Sequence, residues 1–377
     1  MRATRMAVTL LFFADGLMLG SWASRIPGVQ AQAGLSNTSL GIALFASSVG
    51  ALLAMPVAGW LCEWAGSRRV TSVALVVASA SLVAAAAGTA LPTVALGLFG
   101  FGVGFGAFNV AANAQGIALE GAYGRPVLSS FHAAFSIGGL AGAGAGAVIA
   151  RAGVAPGAHL GAIAILLTIT AATTQRRLLP PVVSDGAHRP VLARPPRVLL
   201  LLGAGAFCTL LAEGAAADWS ATYLAQTLGV SAALAGLGYA AFSLAMATSR
   251  GLGDRLNRHF GPVRLARFGG LTAAAGLGAA LLTGWAPLSV AGFGVMGVGL
   301  GVVVPILFRA AGSTPGVPSS VGVAAVSTIG WLGFLAGPPA IGFAAGAVGL
   351  RGALAIVVVA GLSLAVLAPH AQRGRGD

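Results

Sequence analysis

Only eight of the 377 residues are acidic, and two of these sit deep inside long apolar runs. Asp15 lies between RMAVTLLFFA and GLMLGSWAS, and Glu213 between VLLLLGAGAFCTLLA and GAAADW. A charge at bilayer depth costs at least about 2.5–3.5 kcal/mol, so an acid kept there is a functional group by default. Such a carboxyl can carry a proton or hold a solute; the competing role is a neutral carboxyl hydrogen-bonded between packed helices. Asn109 and Asn113 stand four residues apart, which projects both amides from one face of a helix. Paired amides bind sugar hydroxyls, purine edges or carboxylates, and serve equally as glue between helices. His132 adds an imidazole that can exchange a proton or simply pack. Asp15, Glu213, Asn109, Asn113 and His132 are therefore the expected proton-coupling or substrate groups. Trp22, Trp219, Tyr239 and Trp331 are the aromatic groups able to line a cavity and stack on a ring-shaped ligand, with core packing as the alternative. Arg25 and Asp218 lie toward the outer ends of the Asp15 and Glu213 runs and form an expected outer gate, against independent solvation at the interface.

The elements that carry these residues decide whether they meet. Hydrophobic residues make up 57% of the chain and charged residues 8%, against about 25% charged in a soluble domain. A helix of about 20 apolar residues crosses the roughly 30 Å hydrocarbon core. Runs of that kind fall at 6–27, 38–61, 70–89, 92–119, 127–150, 157–175, 198–225, 232–252, 265–283, 287–308, 319–346 and 350–369. The expected fold is an all-α membrane protein with twelve transmembrane helices in a lipid bilayer. All 21 basic residues are Arg, and taking the loops alternately leaves Arg25, Arg151 and Arg351 alone on one side. By the positive-inside rule both termini and the longest loop are then cytoplasmic. That loop, LLPPVVSDGAHRPVLARPPR, reads as a linker at 176–197 between bundles at 1–175 and 198–377.

Shifted by 192 positions, the chain matches itself. GFGV at 100–103 recurs at 292–295, Pro126 falls on Pro318, Ile137-Gly138 on Ile329-Gly330, and Gly59 on Gly251. Near the first helix of each half the offset drifts to about 198, where Asp15-Gly16 and Trp22 answer Glu213-Gly214 and Trp219. Two parallel six-helix repeats follow. GWLCEWAGSRR supplies Gly59, Glu63, Gly66, Arg68 and Arg69, and SRGLGDRLNRHFGPVR a looser copy with Gly251, Asp254, Arg255, Gly261 and Arg264. The first string resembles the loop signature of the major facilitator superfamily, with Glu where Asp is usual. FNVAANAQGIALE, SSFHAAFSIGGLAG and EGAAADWSATYL resemble bacterial permeases placed near the fucose and other sugar permeases. The resemblance implies the major facilitator fold and alternating access by two rocking bundles around a midplane site. It makes Glu63, Arg68, Arg69, Asp254 and Arg255 a cytoplasmic gate; the plainer role is that of topology anchors worth under about 1 kcal/mol each. Gly138, Gly142 and Gly146, and Gly297 and Gly301, recur every four residues and allow close helix packing. Pro56, Pro305, Pro338 and Pro339 fall inside spans and are expected to kink them.

Other classes find little support. The arginines are scattered in short loops rather than striped along one face, which argues against nucleic acid. Cys62 and Cys208 lie in or at the end of apolar runs and define neither a disulfide framework nor a metal site. No HExxH, Cys/His cluster or phosphate loop points to an enzyme or a cofactor. The expected function is secondary active transport of a small polar solute, sugar-like in character and coupled to protons, across a bacterial inner membrane. The competing reading is a proton-antiport exporter of drugs or metabolites. One chain holds both halves, so a monomer suffices.

Overall fold

The computed structural model describes residues 1–123, 127–180, 196–317 and 319–372. Arg125, Pro126, Pro318, Arg373, Arg375 and the linker residues Arg189 and Arg194 lie outside the described residues. Every regular element among the described residues is helical. Hydrocarbon offers the backbone no hydrogen-bond partner, so a crossing segment must satisfy its own N–H and C=O groups, and a helix does so within itself.

Among the described residues, twelve rods follow one another. They are α1 (Arg2–Gln32), α2 (Asn37–Leu61), α3 (Ser67–Ala87), α4 (Leu91–Tyr123), α5 (Leu128–Arg151) and α6 (Pro156–Gln175), then α7 (Arg197–Thr222), α8 (Leu237–Phe260), α9 (Pro262–Thr283), α10 (Ala286–Leu300, resuming as Val303–Gly312), α11 (Ser319–Ala353) and α12 (Ala355–Leu367). Ten are long and apolar enough to cross a membrane; α12 is shorter, and α8 carries Arg250, Asp254, Arg255 and Arg258 in its second half. The break in α10 falls just before Pro305, whose ring would clash with the carbonyl of Gly301 four residues back. Pro56, Pro338 and Pro339 lie inside α2 and α11 as expected, and Pro27 inside α1 joins them. Gly349 interrupts α11 with a φ of 72°, so the chain turns there toward α12. The second glycines of the two loop motifs do one job twice: Gly66 (φ 83°) precedes α3 and Gly261 (φ 75°) precedes α9.

Burial runs opposite to that of a soluble protein. Leu53, Leu96, Val148, Ile165, Leu282 and Val366 are each at least 60% exposed, whereas Asp15, Arg25, Gln115 and His159 are buried. A surface this apolar belongs in lipid.

The chain divides into two compact units, one of Met1–Ala187 with Ser231–Ala240, the other of His188–Val230 with Ala241–Asp377. In the first, α1 packs along α5, and α4 lies against both α2 and α3. In the second, α7 packs along α11 and α10 against α9. The internal repeat reappears as repeated contacts. A β-carbon on Gly138 would stand 2.1 Å from the Phe13 carbonyl oxygen of α1, and one on Gly330 3.0 Å from Ala206 Cβ of α7. Gly102 meets the Ser47 carbonyl of α2 as Gly294 meets Ala241 of α8, and Gly100 meets Ser81 of α3 as Gly292 meets Gly276 of α9. Ser231–Ala240, which leads into α8, seats on the first unit, where a β-carbon on Gly236 would come within 3.0 Å of Ser24 Cβ.

Candidate functional site

Asp15 stands 13 residues after Arg2 in α1, about 20 Å along the axis, and is 3% exposed. Its Oδ1 has no hydrogen-bond partner among the described residues. The neighbouring Gly16 lies so close to the Phe135 carbonyl oxygen of α5 that a β-carbon there would be 1.9 Å away. One turn earlier, Phe12 stacks on Phe131 of α5 at 5.7 Å and meets the His132 ring edge-on at 5.3 Å. Phe108 of α4 completes the cluster, its ring 6.5 Å from Phe12. Phe12 thus joins α1 to His132 of α5 and to α4 in one aromatic joint, with Asp15 three residues further along α1. Asn109 and Asn113 are half-buried on α4, but Asn113 Nδ2 donates to the Asn109 backbone carbonyl at 2.8 Å, so one donor is spent within the helix.

The second unit repeats the joint with a different partner for the acid. Gly214, beside Glu213 on α7, packs against Phe334 of α11, with a would-be β-carbon 2.8 Å from the ring. Phe334 in turn lies 5.3 Å from the half-buried Trp331. Glu213 faces Arg250 of α8, whose Nη2 lies 3.4 and 3.5 Å from the two carboxylate oxygens. Both side chains are less than one-fifth exposed. The position 192 residues before Arg250 is Ala58, next to the Gly59 that matches Gly251. The repeat therefore puts a cation in one half and a methyl group in the other. Arg250 is absent from the expected site because it sits at the apparent edge of its apolar run, where it reads as a boundary arginine. A long side chain reaches back along its helix from there.

The remaining expected residues are spread out. Trp22, Trp219 and Tyr239 are covered by neighbouring side chains. Trp219 Nε1 has no hydrogen-bond partner among the described residues. Arg25 is buried and donates from Nη2 to the Val154 carbonyl at the turn between α5 and α6. Beside it is a cavity of about 210 Å³ lined by Ser24, Gly28, Val154 and Pro156 among others. Asp218, its expected gate partner, is half-buried on α7 in the other unit. His159, near the start of α6, was not singled out by its sequence position. It is 2% exposed, and both ring nitrogens are unpartnered among the described residues. The side chains of Glu63 and Asp254 lie outside the described residues. Arg68 Nε donates to the Gln175 carbonyl at 2.5 Å and ties α3 to the end of α6, while Arg69 and Arg255 are exposed. Gln115, off the Asn109–Asn113 face, is a staple: it bonds Ser67 Oγ at 2.8 Å and both backbone groups of Leu179.

The fold is matched by known proteins. The model of the Major Facilitator Superfamily matches residues 8–316, most of the chain. The chain belongs to this superfamily. An uncharacterised transporter of the superfamily from Yersinia pestis is 35% identical over 98% of this chain and 96% of its own length. The membrane protein MosC of Rhizobium meliloti is 34% identical over 99% of this chain and 91% of its own. Among solved structures, a nucleoside transporter superposes with a TM-score of 0.76 at 12% identity, covering 99% of this chain and 100% of that one. A D-xylose–proton symporter gives 0.72 at 19% identity, with 99% of each chain covered. At these identities the structures speak for the fold, which is the twelve-helix fold of the superfamily. As a Major Facilitator Superfamily member the protein is a multi-pass membrane transporter, not an enzyme.

Proposed function

We propose that the protein moves a small polar, sugar-like solute across the bacterial inner membrane by proton-coupled alternating access. The observation that carries this reading is the pair of acids at matching joints of the repeat, one with an oxygen unpartnered among the described residues and one facing Arg250. A buried carboxylate with an unpartnered oxygen is costly as an anion, and taking up a proton removes that cost. On this reading Asp15 is the proton carrier. Glu213 and Arg250 form a polar pair that a solute bearing hydroxyls or a carboxylate can open. His132, Asn109 and Asn113 add donors and acceptors, and Trp331 a ring for stacking. The transport names of the nucleoside and xylose–proton neighbours agree with a polar ring-bearing solute. Rocking of the two repeats exposes the acids to each side in turn. Both termini lie in the cytoplasm, Glu63, Arg68, Arg69, Asp254 and Arg255 latch that side, Arg25 and Asp218 guard the other, and one chain suffices.

Thermal shift of the purified protein against sugars, nucleosides, carboxylates and lipophilic cations tests the solute class. A ligand at 100 times its Kd adds about 2.7 kcal/mol to stability. The stabilising solute is then fed to proteoliposomes with a pH dye inside. Solute-driven proton entry in the wild type, absent in Asp15→Asn, is the expected result. Binding confined to lipophilic cations and indifferent to Asp15→Asn and Glu213→Gln would instead mark an exporter.

A further inference from the structure

A second polar cavity, of about 510 Å³, lies at the α2–α3 corner of the first unit, away from the acid joint. Its lining is Trp64, Ala65, Arg68, Arg69, Gln175 and Arg176. Three arginines line it, and among the described residues none of them forms an ion pair with a carboxylate. Arg68 is held in place by its bond to the Gln175 carbonyl, while Arg69 and Arg176 are exposed. With a water occupying about 30 Å³ of liquid, the space exceeds ten waters and admits a phosphate with its ester substituents.

The approach to this cavity is apolar and aromatic. Leu53, Val57, Trp60 and Trp64 follow at spacings of four, three and four, which is one face of a helix. All four are more than half exposed. The stripe ends in two parallel indoles, Trp60 and Trp64, with ring centroids 5.9 Å apart and planes 2° from parallel. The wide turn at Cys62–Gly66 between α2 and α3 leads from Trp64 directly to Arg68 and Arg69. Tryptophan collects at headgroup depth, and basic pockets beside spans take phosphate headgroups. A molecule with acyl chains along Leu53 and Val57, its glycerol on the indoles and its phosphate among the arginines matches every part of this surface. We propose that the cavity binds a phosphodiester anion, and that its source is the headgroup of an anionic phospholipid.

The test places the full-length protein in nanodiscs containing phosphatidylglycerol or phosphatidylcholine with brominated chains, which quench nearby indoles. The Trp60→Phe/Trp64→Phe variant supplies the background from the other tryptophans. Brominated phosphatidylglycerol is expected to quench the Trp60–Trp64 signal at a lower mole fraction than phosphatidylcholine. An arginine near an anionic surface is worth about 1 kcal/mol, or about fivefold in partitioning, so Arg69→Gln/Arg176→Gln should erase a preference of that size or more. Its melting temperature, read in parallel, should stay close to that of the wild type because both arginines are exposed. Equal quenching by the two lipids, or a preference that survives Arg69→Gln/Arg176→Gln, overturns the proposal. Equal quenching by the two lipids together with a rise in melting temperature in inorganic phosphate, not in chloride of equal ionic strength and not in Arg69→Gln/Arg176→Gln, overturns the lipid source and assigns the cavity to a free phosphate.

Discussion

Asp15 and Glu213 precede equivalent glycines that press on the partner helix of each repeat, yet among the described residues only Glu213 forms an ion pair. Charges held less than one-fifth exposed lose much of their hydration, and Arg250 offsets that loss for Glu213 only while both are present. Removing one partner of a fully buried pair costs about 3–5 kcal/mol; with the separation of 3.4 Å and the residual exposure, Arg250→Ala should cost on the order of 2 kcal/mol. Glu213→Gln should cost less, because a neutral amide can still accept from the guanidinium. The double variant Arg250→Ala/Glu213→Gln should be more stable than Arg250→Ala alone, since it no longer strands an anion. Thermal unfolding of the four proteins in one detergent gives the coupling directly, and additive losses would show that the two side chains do not stabilise one another. The acids were legible in the sequence because an acid within an apolar run is conspicuous. Arg250 was not, since nothing in a linear pattern tells a boundary arginine from one that reaches inward, although its alignment with Ala58 held the clue. His159 escaped notice for the opposite reason: it stands at the very start of the 157–175 run, where a histidine reads as an interface residue, and packing buries it.

At the scale of elements, the small-residue spacing translates into helix separation. Gly16 of α1 and Gly138 and Gly142 of α5 face one another's backbones, and β-carbons on them would stand 1.9 to 2.2 Å from carbonyl oxygens. No side-chain rotation relieves such a contact, so α1 and α5 must part to admit a methyl group. Gly144, on the same α5, has nothing within 4 Å of its would-be β-carbon. The expectation is therefore opposite for two identical substitutions. Gly138→Ala should destabilise by about 1–3 kcal/mol through overpacking, whereas Gly144→Ala should be neutral or stabilise by up to about 1 kcal/mol through helix propensity. Melting temperatures of the two variants check this, and equal effects would contradict the close α1–α5 seam. The twelve rods and their pairing were readable because apolar length and the 192-residue repeat both act along the chain. The seating of Ser231–Ala240 on the first unit was not, because that stretch belongs to the second half in sequence and only its contacts assign it elsewhere.

For the molecule as a whole, the arginine bias predicts an orientation, and α8 is its most demanding element. Its second half holds Arg250, Asp254, Arg255 and Arg258, so it is less apolar than the ten clear spans. It still has to cross, because α7 ends without arginine in the turn at 228–231, while Arg264 and Arg267 open α9 beyond the next turn. Without that crossing, α9 to α12 would all invert, and the loops bearing Arg264 and Arg309 would exchange sides with the arginine-free turn at 284–285 and the one bearing Arg351 alone. The charges in α8 are tolerable in that position. Arg250 meets Glu213, and the later ones fall within the last three turns, where side chains reach the interface. Alkaline phosphatase, active only outside the cytoplasm, fused after Gly229 should be active, and fused after Gly261 inactive. A fusion after Gly284 should be active again, and a fluorescent protein at the C-terminus, which matures in the cytoplasm, should glow. Equal activity after Gly229 and Gly261 would mean that α8 does not cross, and a full inversion of the pattern would place the arginine-rich side outside.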